Sequence, residues 1–405
     1  MKVAAIISEY NPFHLGHKYQ IDKLREILGD DTAVIAIMSG NFTQRGDIAV
    51  CDKTIRAMSA VNCGVNLVLE LPFPFSMSSA EFFAKSGVKI ANEIGIVDYL
   101  VFGSENGDIL ELSDIASIMS SNEYNMTLED MIASPEYKEY GYPELCEIAL
   151  SRLYGKKLSK NLLSPNNILS IEYIKALYAM GSSIKPLTIK RVGAGYNDLI
   201  NPMAEYQSAS AIREELSDSN LSALDYVPEE ARKVYVNAIT EGKMPSDITK
   251  LDTAVISSFR LNSRMTDVDY HDAAGGLYNR LCDISAEATS ISMLTAEAET
   301  KKYTKARIRR AIWNSYFGVT SSDVRPLPAF TQVLSMDEVG KTLLKAIKKS
   351  SDFPVITKPS SFKELDDNVI RQKELSNRAD AVYGLTLKIA NSGRFPLTFT
   401  PYVKK

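Results

Sequence analysis

Residues 9–17 read Glu9-Tyr10-Asn11-Pro12-Phe13-His14-Leu15-Gly16-His17. The apolar run 3–7 precedes this stretch and predicts a strand, and Ile21, Leu24 and Leu28 follow it at helical spacing. A buried strand, a tight turn and a helix N-terminus in this order form an anion site, because free backbone N–H groups and the helix dipole point at the turn. The stretch therefore predicts a phosphate-binding site on an α/β fold.

Two of the three histidines of the chain, His14 and His17, lie in this stretch. His17 falls in the first predicted turn of the helix and His14 just before it, so both imidazoles can reach one phosphate. Gly16 leaves room for a ligand to lie against the backbone. The alternative is a structural pair of histidines that caps the turn. Two histidines placed directly after an N-terminal strand favour the phosphate-binding interpretation.

The strand and the motif Asn-Pro-Phe-His-x-Gly-His resemble the superfamily of nucleotidyltransferases and class I aminoacyl-tRNA synthetases. More narrowly, residues 8–17 and 38–46 resemble the family of bacterial tRNA(Met) cytidine acetate ligases, and this resemblance continues through most of the chain. In the superfamily the two histidines hold ATP phosphates and stabilise the transition state at the α-phosphate. The resemblance therefore implies catalytic roles for His14 and His17.

A second motif, Ser208-x-Ser210-x-x-Arg213, predicts a further phosphate contact. Hydroxyls at a helix N-terminus, with an arginine one turn later, suit terminal phosphate oxygens, because arginine offers a fork of donors. Related nucleotidyltransferases carry a similar serine-arginine motif near the end of the core domain. The alternative is an ordinary N-cap followed by a solvated arginine.

Three more residues are candidates for ATP binding, and two of them, Arg191 and Asn167, have an equally plausible structural alternative. Arg191 ends a predicted strand together with Lys190 and reaches either a nucleotide or water. Asn167 opens a helix after Ser-Pro, where both residue types are also common for structural reasons alone. Gly103 follows the fourth predicted strand and lets adenine or ribose approach, as the resemblance also implies. The complete predicted ATP site, besides the two histidines, is Ile7, Ser8, Glu9, Tyr10, Asn11, Pro12, Phe13, Leu15, Gly16, Gln20, Gly103, Asn167, Arg191, Ser208, Ser210 and Arg213.

The first hundred residues alternate between apolar strands and helical patterns. Strands are predicted at 3–7, 33–38, 66–71 and 99–103, and a fifth at 186–192 is followed by the loop Gly193–Glu205. This alternation predicts a Rossmann-like, doubly wound parallel sheet of the nucleotidyltransferase type, with strand ends that converge on one cleft.

The chain is long enough for two domains. We expect residues 1–215 to form the ATP-binding catalytic domain, with a helical insertion at about 107–160. After residue 216 the periodicity is helical, apart from a possible short strand at 354–357. Residues 216–405 are therefore expected to form a mainly helical, tRNA-binding domain.

The amino-acid composition limits the classes of protein to which this chain can belong. The 405 residues are 45% hydrophobic and 24% charged, as in an ordinary globular protein, and the net charge of −4 means that any RNA contact must come from a local basic patch. Four scattered cysteines predict free thiols in a reducing compartment. No signal peptide and no apolar run long enough for a membrane span are present, so a cytoplasmic location without membrane attachment is expected.

Predicted substrate contacts lie in two places. The polar loop 40–47 offers Asn41, Gln44 and Arg45 to a small acid or a flipped base. Lys53 and Arg56, on the next helix, meet the carboxylate of the acid or are plain surface charges.

The run 301–310 has six basic residues and no acid, which suits an RNA backbone. Lys301, Lys302, Lys305 and Arg309 are its predicted tRNA contacts, and helical spacing places Lys301, Lys305 and Arg309 on one face. A solvated helix face is the alternative. Nearby aromatic residues stack on bases or belong to the core, and a weaker basic patch follows at 341–349. The aromatic residues are Tyr303, Trp313 and Tyr316.

The resemblance implies an ATP-dependent ligase. Acetate attacks the α-phosphate and gives acetyl-adenylate and diphosphate. The N4 amine of the wobble cytidine of elongator tRNA(Met) then takes the acetyl group and becomes N4-acetylcytidine, and AMP is released. Magnesium is expected with ATP as counter-charge, although no carboxylate cluster identifies a metal site in the protein.

Two alternatives remain open. One is an adenylyltransferase that joins AMP to a phosphorylated small molecule and never touches RNA; the long helical region and the basic run argue against it. The other is a non-catalytic RNA-binding protein on an inherited nucleotide fold. The intact pair His14 and His17, together with the serine-arginine motif, argues against that second alternative.

Overall fold

The computed structural model describes residues 1–155, 164–192, 206–218, 220–262, 268–359 and 366–405. The predicted loop Gly193–Glu205 lies outside these residues. The strands are β1 (Val3–Ser8), β2 (Ala33–Ser39), β3 (Leu67–Leu71), β4 (Tyr99–Ser104), β5 (Lys185–Lys190), β6 (Thr331–Met336), β7 (Val355–Ile356) and β8 (Tyr402–Val403).

These strands form a sheet of order β5-β4-β1-β2-β3-β6-β7, in which β8 pairs with β6. Strands β1 to β5 are parallel, with Val3 opposite Ala33 and Leu100 opposite Pro186. Strand β2 lies on one side of β1 and β4 lies on the other, so the strand order reverses at β1. Ligands bind at the carboxyl ends of the strands at such a switch point. The predicted doubly wound parallel sheet is confirmed for these five strands.

Helices cover both faces of the sheet. The helices are α1 (Leu15–Leu28), α2 (Lys53–Asn62), α3 (Ala80–Glu93), α4 (Ile109–Met119), α5 (Asn122–Ala133), α6 (Tyr142–Tyr154), α7 (Pro165–Ala179), α8 (Ala209–Ser217), α9 (Glu229–Thr240), α10 (Asp252–Asn262), α11 (Leu277–Ser285), α12 (Ile291–Ala298), α13 (Lys305–Phe317), α14 (Ser321–Val324), α15 (Glu338–Ser350), α16 (Asp367–Tyr383) and α17 (Phe395–Thr398). One core contains Phe83 of α3 and Ile174 of α7, and the core on the opposite face contains Leu24 of α1 and Tyr235 of α9.

The central strands are buried on both faces, which explains their sequences. In β1, Val3 and Ala5 enter one core while Ala4 and Ile6 enter the other, because alternate side chains point to opposite faces. All seven residues of β2 are buried, so this strand is a continuous apolar run without alternation. This double burial fixes the position of the turn that follows β1.

The chain beyond residue 216 is not purely helical. Most of its predicted helices are present, and helices α4 to α6 confirm the helical character of the insertion up to residue 155. The sequence did not predict β6, which is fully buried and antiparallel to β3, with Leu67 opposite Met336. This short strand contains Thr331, Gln332 and Ser335 and follows no regular strand pattern, so its sequence gave no clear signal. The domain division at residue 215 stays a prediction.

Candidate functional site

The two histidines of the motif are held by the backbone at the start of α1. His14 is the N-cap residue of this helix, and its Nδ1 accepts a hydrogen bond from the N–H of Gly16 at 3.1 Å. The Nδ1 of His17 accepts one from the N–H of His14 at 3.2 Å, which completes a reciprocal cap. Because both Nδ1 atoms are acceptors, each neutral ring carries its proton on Nε2. The motif therefore presents two N–H donors beyond those of the backbone.

The histidine rings lie together, with ring centroids 3.8 Å apart. Burial is the main cause that lowers the pKa of His14 to about 3, and the cations of Arg191 and Arg213 act in the same direction. Burial also lowers the pKa of His17 well below its ordinary value, with smaller effects of His14 and Arg191. Both rings are therefore neutral at physiological pH in the free protein.

Both rings face an open cleft above the ends of β1, β4 and β5. The predicted residues that line this cleft are His14, Gly16, His17, Gln20, Gly103 and Arg191. The lining residues that were not predicted to bind nucleotide are Tyr19, Ile189, Lys190, Val192, Tyr206 and Gln207. The last two directly precede Ser208, so their place beside a predicted helix cap was the signal available in the sequence. The polar side chains that line the cleft are mainly hydrogen-bond donors, which suits an anionic ligand.

Gly16 lines the cleft, and its missing side chain has a second consequence. A Cβ atom at this position would lie 2.9 Å from Cε1 of His14. The missing side chain therefore makes room for the ring of His14.

Several predicted nucleotide-binding residues lie behind the cleft instead of lining it. Tyr10 and Phe13 are buried, and their rings pack 4.9 and 5.5 Å from the ring of His17. Asn11 is also buried, and its Oδ1 accepts a hydrogen bond from the N–H of Val50 at 2.8 Å. These side chains support the histidines. The predicted residues that the cleft lining does not include are Ile7, Ser8, Glu9, Tyr10, Asn11, Pro12, Phe13, Leu15, Asn167, Ser208, Ser210 and Arg213.

The serine-arginine motif is tied to the histidine motif. Ser208 is the N-cap of α8, and its Oγ accepts a hydrogen bond from the N–H of Ala211 at 3.1 Å. Arg213 lies one turn later and donates from Nη1 to the carbonyl of Asn11 at 2.7 Å. The N-cap named in the alternative interpretation is present, but its solvated arginine is not, because Arg213 is bound to the histidine motif. The predicted phosphate contact stays a prediction.

The ends of β4 and β5 form the far wall of the cleft. Arg191 is 41% exposed and lies across Gly103, where an added Cβ would be 3.2 Å from its Cγ. Its Nε is 3.9 Å from a carboxylate oxygen of Glu105. Asn167 is buried and accepts the N–H of Glu105 at 2.9 Å, so it shapes this wall from behind.

Comparisons with known proteins agree with this geometry. A family model described as HIGH Nucleotidyl Transferase matches residues 1–394. A tRNA(Met) cytidine acetate ligase of Acetivibrio thermocellus is 36% identical over 403 residues, which cover 96% of each chain. The chain belongs to this family of HIGH nucleotidyltransferases. The resemblance seen in the sequence is confirmed.

Solved structures of the family extend the match to the fold. The chain is 31% identical to Thermotoga maritima TmcAL in its apo form, with a TM-score of 0.92 over 100% of this chain and 99% of that chain. The same protein bound with alpha-thio ATP matches with a TM-score of 0.90. A HIGH nucleotidyltransferase of this architecture therefore binds an ATP analogue.

In this family member, the loop 40–47 is held tightly by the protein itself. Asn41 is buried, and its amide nitrogen donates to Asp52 at 3.2 Å and to Asp380 at 3.0 Å. The structure therefore corrects its predicted substrate role, because the side chain is used to fix the loop. The N–H of Gln44 donates to Oε1 of Glu9 at 2.9 Å, so the loop touches the histidine motif. Arg45 lies between Gln44, whose backbone is held by Glu9, and the turn at Gly46.

Lys53 and Arg56 are not surface charges. Lys53 is buried and pairs with Glu70 and Asp380, each at 2.6 Å. Arg56 is fully buried and donates to the carbonyls of Glu9 at 2.6 Å and Ser39 at 3.2 Å. Neither side chain is open to a substrate carboxylate, since both hold the ends of neighbouring strands together.

The basic run 301–310 divides into internal and exposed residues. Helix α13 begins at Lys305 with Thr304 as its N-cap, so Lys301 is not on the helix and the predicted common face is wrong. Arg309 pairs with Asp47 at 2.5 Å, and the buried Arg310 pairs with Asp272 at 2.7 Å.

Lysines are the exposed part of this run. Lys301, Lys302 and Lys305 are exposed, although Lys305 also lies 3.4 Å from Glu299. The weaker patch on α15 has three exposed lysines, Lys345, Lys348 and Lys349. Trp313 is fully buried and Tyr303 nearly so, so these two rings belong to the core and do not stack on bases.

Metal and membrane features are not seen in the described ranges. Among those residues, no group of three or more histidine, cysteine, aspartate or glutamate side chains is arranged to hold a metal ion. In the same ranges, no helix combines the length and the apolar character that crossing a bilayer requires.

Proposed function

We propose that this chain is an ATP-dependent ligase that acetylates N4 of the wobble cytidine of elongator tRNA(Met). One observation carries the proposal: His14 and His17 present their Nε2–H groups to a cleft at the carboxyl ends of the central strands, in a chain that matches acetate ligases over nearly its whole length. The substrate is inferred from the name of those relatives, and the reaction step is inferred from the residues that line the cleft.

The first step joins acetate to AMP. An acetate oxygen attacks the α-phosphorus of ATP, and diphosphate leaves with the electron pair of the broken P–O bond. Negative charge grows on the non-bridging oxygens, and donors that are already fixed in position lower the barrier without reorganising. His14 and His17 supply such donors, the N-terminus of α1 adds its dipole, and Arg191 faces the same space.

The second step transfers the acetyl group. The N4 amine of the cytidine attacks the acyl carbon of acetyl-adenylate, and AMP leaves. The carboxyl ends of β1 and β2 are adjacent, so the loop 40–47 is the side from which a base approaches the adenylate. Gln44 and Arg45 belong to this loop.

Magnesium would accompany the triphosphate. The described residues that line the cleft include no carboxylate, so such an ion would be held by phosphate oxygens and water. Its role would be to neutralise the charge of the leaving diphosphate. The protein's own share of the charge stabilisation comes from His14, His17 and Arg191.

We assign tRNA binding to residues beyond 216 and nucleotide binding to residues 1–215. Support comes from the exposed lysines Lys301, Lys302 and Lys305, because phosphate contacts with lysine dominate nucleic-acid affinity. A cytoplasmic location is part of the proposal, and a tRNA substrate supports it.

One experiment tests the proposal. The protein is incubated with ATP, labelled acetate and tRNA(Met) transcript, and label on the tRNA, AMP and diphosphate are measured. Acetylated tRNA with AMP formation is the expected result. Transfer of AMP to a phosphorylated small molecule without RNA, or no ATP turnover at all, would replace the proposal by an adenylyltransferase or a binding protein, respectively.

A further inference from the structure

Arg56 is a buried arginine to which the adenylation step gives no role. It lies on α2 and is fully buried, and backbone carbonyls accept all the hydrogen bonds that its guanidinium donates to described residues. These carbonyls belong to Glu9, Ser39, Gly40 and Cys51. No carboxylate of the described residues forms an ion pair with it. A cation that is buried without an anion is costly, and this one is bound to the residue that opens the histidine motif.

The bond to Glu9 lies next to a strained residue. Nη1 of Arg56 donates to the carbonyl of Glu9 at 2.6 Å, and this carbonyl belongs to the peptide group that precedes Tyr10. Tyr10 has φ +44°, in the left-handed region that residues other than glycine rarely adopt. Such a conformation persists only where the surrounding groups hold it. Arg56 holds the peptide group before this tyrosine, and Arg213 holds the carbonyl of Asn11 after it at 2.7 Å.

The conformation of Tyr10 decides where the histidine rings lie. Its ring is buried and meets the ring of His17 nearly edge-on, with 4.9 Å between the ring centroids. The ring of His17 in turn lies 3.8 Å from that of His14. A change in φ of Tyr10 therefore moves the ring that supports His17. Arg56 acts on the histidines only through this series of contacts.

The same guanidinium fixes the end of β1 against the end of β2. Its donors reach the carbonyls of Ser39, at 3.2 Å, and Gly40, where β2 ends and the loop 40–47 begins. Its Nε donates to the carbonyl of Cys51 at 3.1 Å, just before α2. Because one planar group binds all these carbonyls, the turn after β1 cannot shift relative to β2 without breaking one of the bonds.

We propose that Arg56 is a positioning residue for adenylation, an inference that rests on the proposed function. It holds Tyr10 in its left-handed conformation and so keeps His14 and His17 aligned with the α-phosphate. Since the buried Arg56 does not line the cleft, its loss should lower the rate more than the affinity for ATP. Misplacing reacting groups by about 1 Å costs about 10²-fold in rate.

The test compares Arg56→Met and Arg56→Lys with the wild-type chain. Methionine keeps an unbranched side chain and removes every donor. Lysine keeps the charge, but its donors share one nitrogen and do not bridge the same carbonyls. Acetate-dependent exchange of diphosphate into ATP gives kcat and KM for ATP. We expect kcat to fall by about 10²-fold in Arg56→Met and by less in Arg56→Lys, while KM changes by less than about threefold in both.

Arg25 provides the matched control. This arginine of α1 is partly buried, and its Nη2 also donates to a backbone carbonyl, that of Gly64, at 2.8 Å. Gly64 precedes β3, so the bond lies at the edge of the sheet opposite the cleft. Arg25→Met should lower the free energy of unfolding, which urea denaturation measures, and keep both kcat and KM of the folded protein.

The spectra of the imidazole nitrogens give a readout that a loss of stability alone does not move. The chain has only three histidines, so isotope-labelled rings can be assigned by replacing each with glutamine. In the wild type, His14 and His17 should each show a single tautomer with the proton on Nε2. In Arg56→Met, we expect the nitrogen shifts of His17 to move towards the average of both tautomers. The spectrum of Arg25→Met should match the wild type.

Each outcome has a separate meaning. If the wild type shows no acetate-dependent exchange, the proposed function fails, and the imidazole spectra still test what Arg56 does to the rings. If exchange occurs and a folded Arg56 variant keeps the wild-type kcat and spectrum, Arg56 only stabilises the fold and the inference is overturned. A rise in KM at unchanged kcat also overturns it, because Arg56 then serves ATP binding. Failure of both variants to fold overturns it as well, because Arg56 is then a folding residue.

Discussion

At the scale of single residues, the histidine pair is oriented by backbone donors alone. Each Nδ1 is occupied by an N–H group, so the proton sits on Nε2 of both His14 and His17. The same burial that keeps these rings neutral removes them from water, where their hydrogen bonds to phosphate would be weaker. The fold around the turn therefore fixes both the position of the two rings and their neutral state.

His14→Ala and His17→Ala should each reduce acetyl-adenylate formation while the fold survives. Loss of one fixed donor at a developing negative charge costs about 10²–10³-fold in rate. Acetate-dependent diphosphate exchange gives the rate, and circular dichroism checks the fold. His271→Gln, which changes the third histidine on another part of the chain, is the control and should keep exchange. Unchanged exchange in both alanine variants would show that the pair is structural.

The histidines should also make stability depend on pH. The folded pKa of His14 is about 3, and that of His17 also lies well below the ordinary value of 6.5, so as the pH falls below 6.5 the unfolded chain binds more protons than the folded one. The free energy of unfolding contributed by these groups must then fall as the pH falls through this window. Urea denaturation at pH 7 and pH 5 should show a smaller loss in the double variant His14→Gln/His17→Gln than in the wild type. An equal loss would contradict the depressed pKa values.

At the scale of elements, the loop 40–47 contacts helix α13, and the paired residues Asp47 and Arg309 are 262 positions apart in the chain. Gly46 has φ +76°, and an added Cβ would lie 2.6 Å from Cβ of Arg309 and 2.7 Å from the nitrogen of Arg310. Phe42 packs edge-on against Trp313 at 5.1 Å between ring centroids. The contact leaves no space for a side chain at position 46.

Gly46→Ala should therefore lower the free energy of unfolding more than Gly181→Ala does. Both glycines have positive φ, but nothing lies within 4 Å of a Cβ built at Gly181. Backbone strain costs about 1–2 kcal/mol at either site, and forced repacking adds about 1–3 kcal/mol at Gly46. Urea denaturation measures both variants. Equal losses would show that the loop and the helix separate easily.

The exposed lysines that precede and open α13 should act on tRNA alone. Replacing Lys301, Lys302 and Lys305 by alanine should weaken tRNA(Met) binding and make its dependence on salt less steep, by about 0.9 in slope per lost phosphate contact. Acetyl-adenylate formation should not change, because none of the three lines the cleft. Filter binding at several salt concentrations gives the slope.

Exposed lysines elsewhere provide the control for that experiment. Lys233 and Lys243 lie on and just after α9 and form only surface ion pairs, with Glu229 and Glu241. Their alanine variants should bind tRNA as the wild type does. If the lysines before α13 also prove neutral, the basic run is a solvated surface and tRNA binds elsewhere.

At the scale of the whole molecule, a buried ion cluster joins residues more than 300 positions apart. Lys53 of α2 contacts Glu70 at the end of β3 and Asp380 of α16. Burial raises the pKa of Asp380 to about 6, although Lys53 opposes this rise. Burial also lowers the pKa of Lys373, on the same helix, to about 8. The cluster therefore connects helix α16 to the edge of the sheet at which the site lies.

Lys53→Met should therefore lower the free energy of unfolding by about 3–5 kcal/mol, because it leaves two buried carboxylates without their cation. Lys341→Met breaks an exposed pair with Glu338 at a similar 2.6 Å and should cost about 0–1 kcal/mol. Guanidinium denaturation of both variants gives the comparison. Equal costs would mean that the buried cluster is open to water.

Local patterns were enough to predict the nucleotide half of the molecule. The strand, the turn and the helix around residues 9–17 are contiguous, and continuous apolar runs identify β1 and β2 because both faces of these strands are buried. Ser208 was predicted as a cap because capping depends on neighbours within one turn.

Long-range contacts explain the corrections. The sequence could not show that Asp272 and Asp47 lie next to the arginines of the basic run, because the partners are 38 and 262 residues away. It could not show that Lys53 is buried, for the same reason. A run of basic residues in a sequence predicts a basic surface only if no carboxylate from a distant segment pairs with those residues.

The sequence by itself determined the sheet, the phosphate-binding turn and the pair His14 and His17, since these depend on periodicity and on residues a few positions apart. Only the tertiary structure decided that β6 pairs with β3, that Lys53 and Arg56 are buried, and that Arg213 reaches the carbonyl of Asn11. The physical reason is that burial and ion pairing are set by segments that are distant in the chain but in contact in the fold. The free energy of a charged side chain depends more on these contacts than on the residues beside it in the sequence.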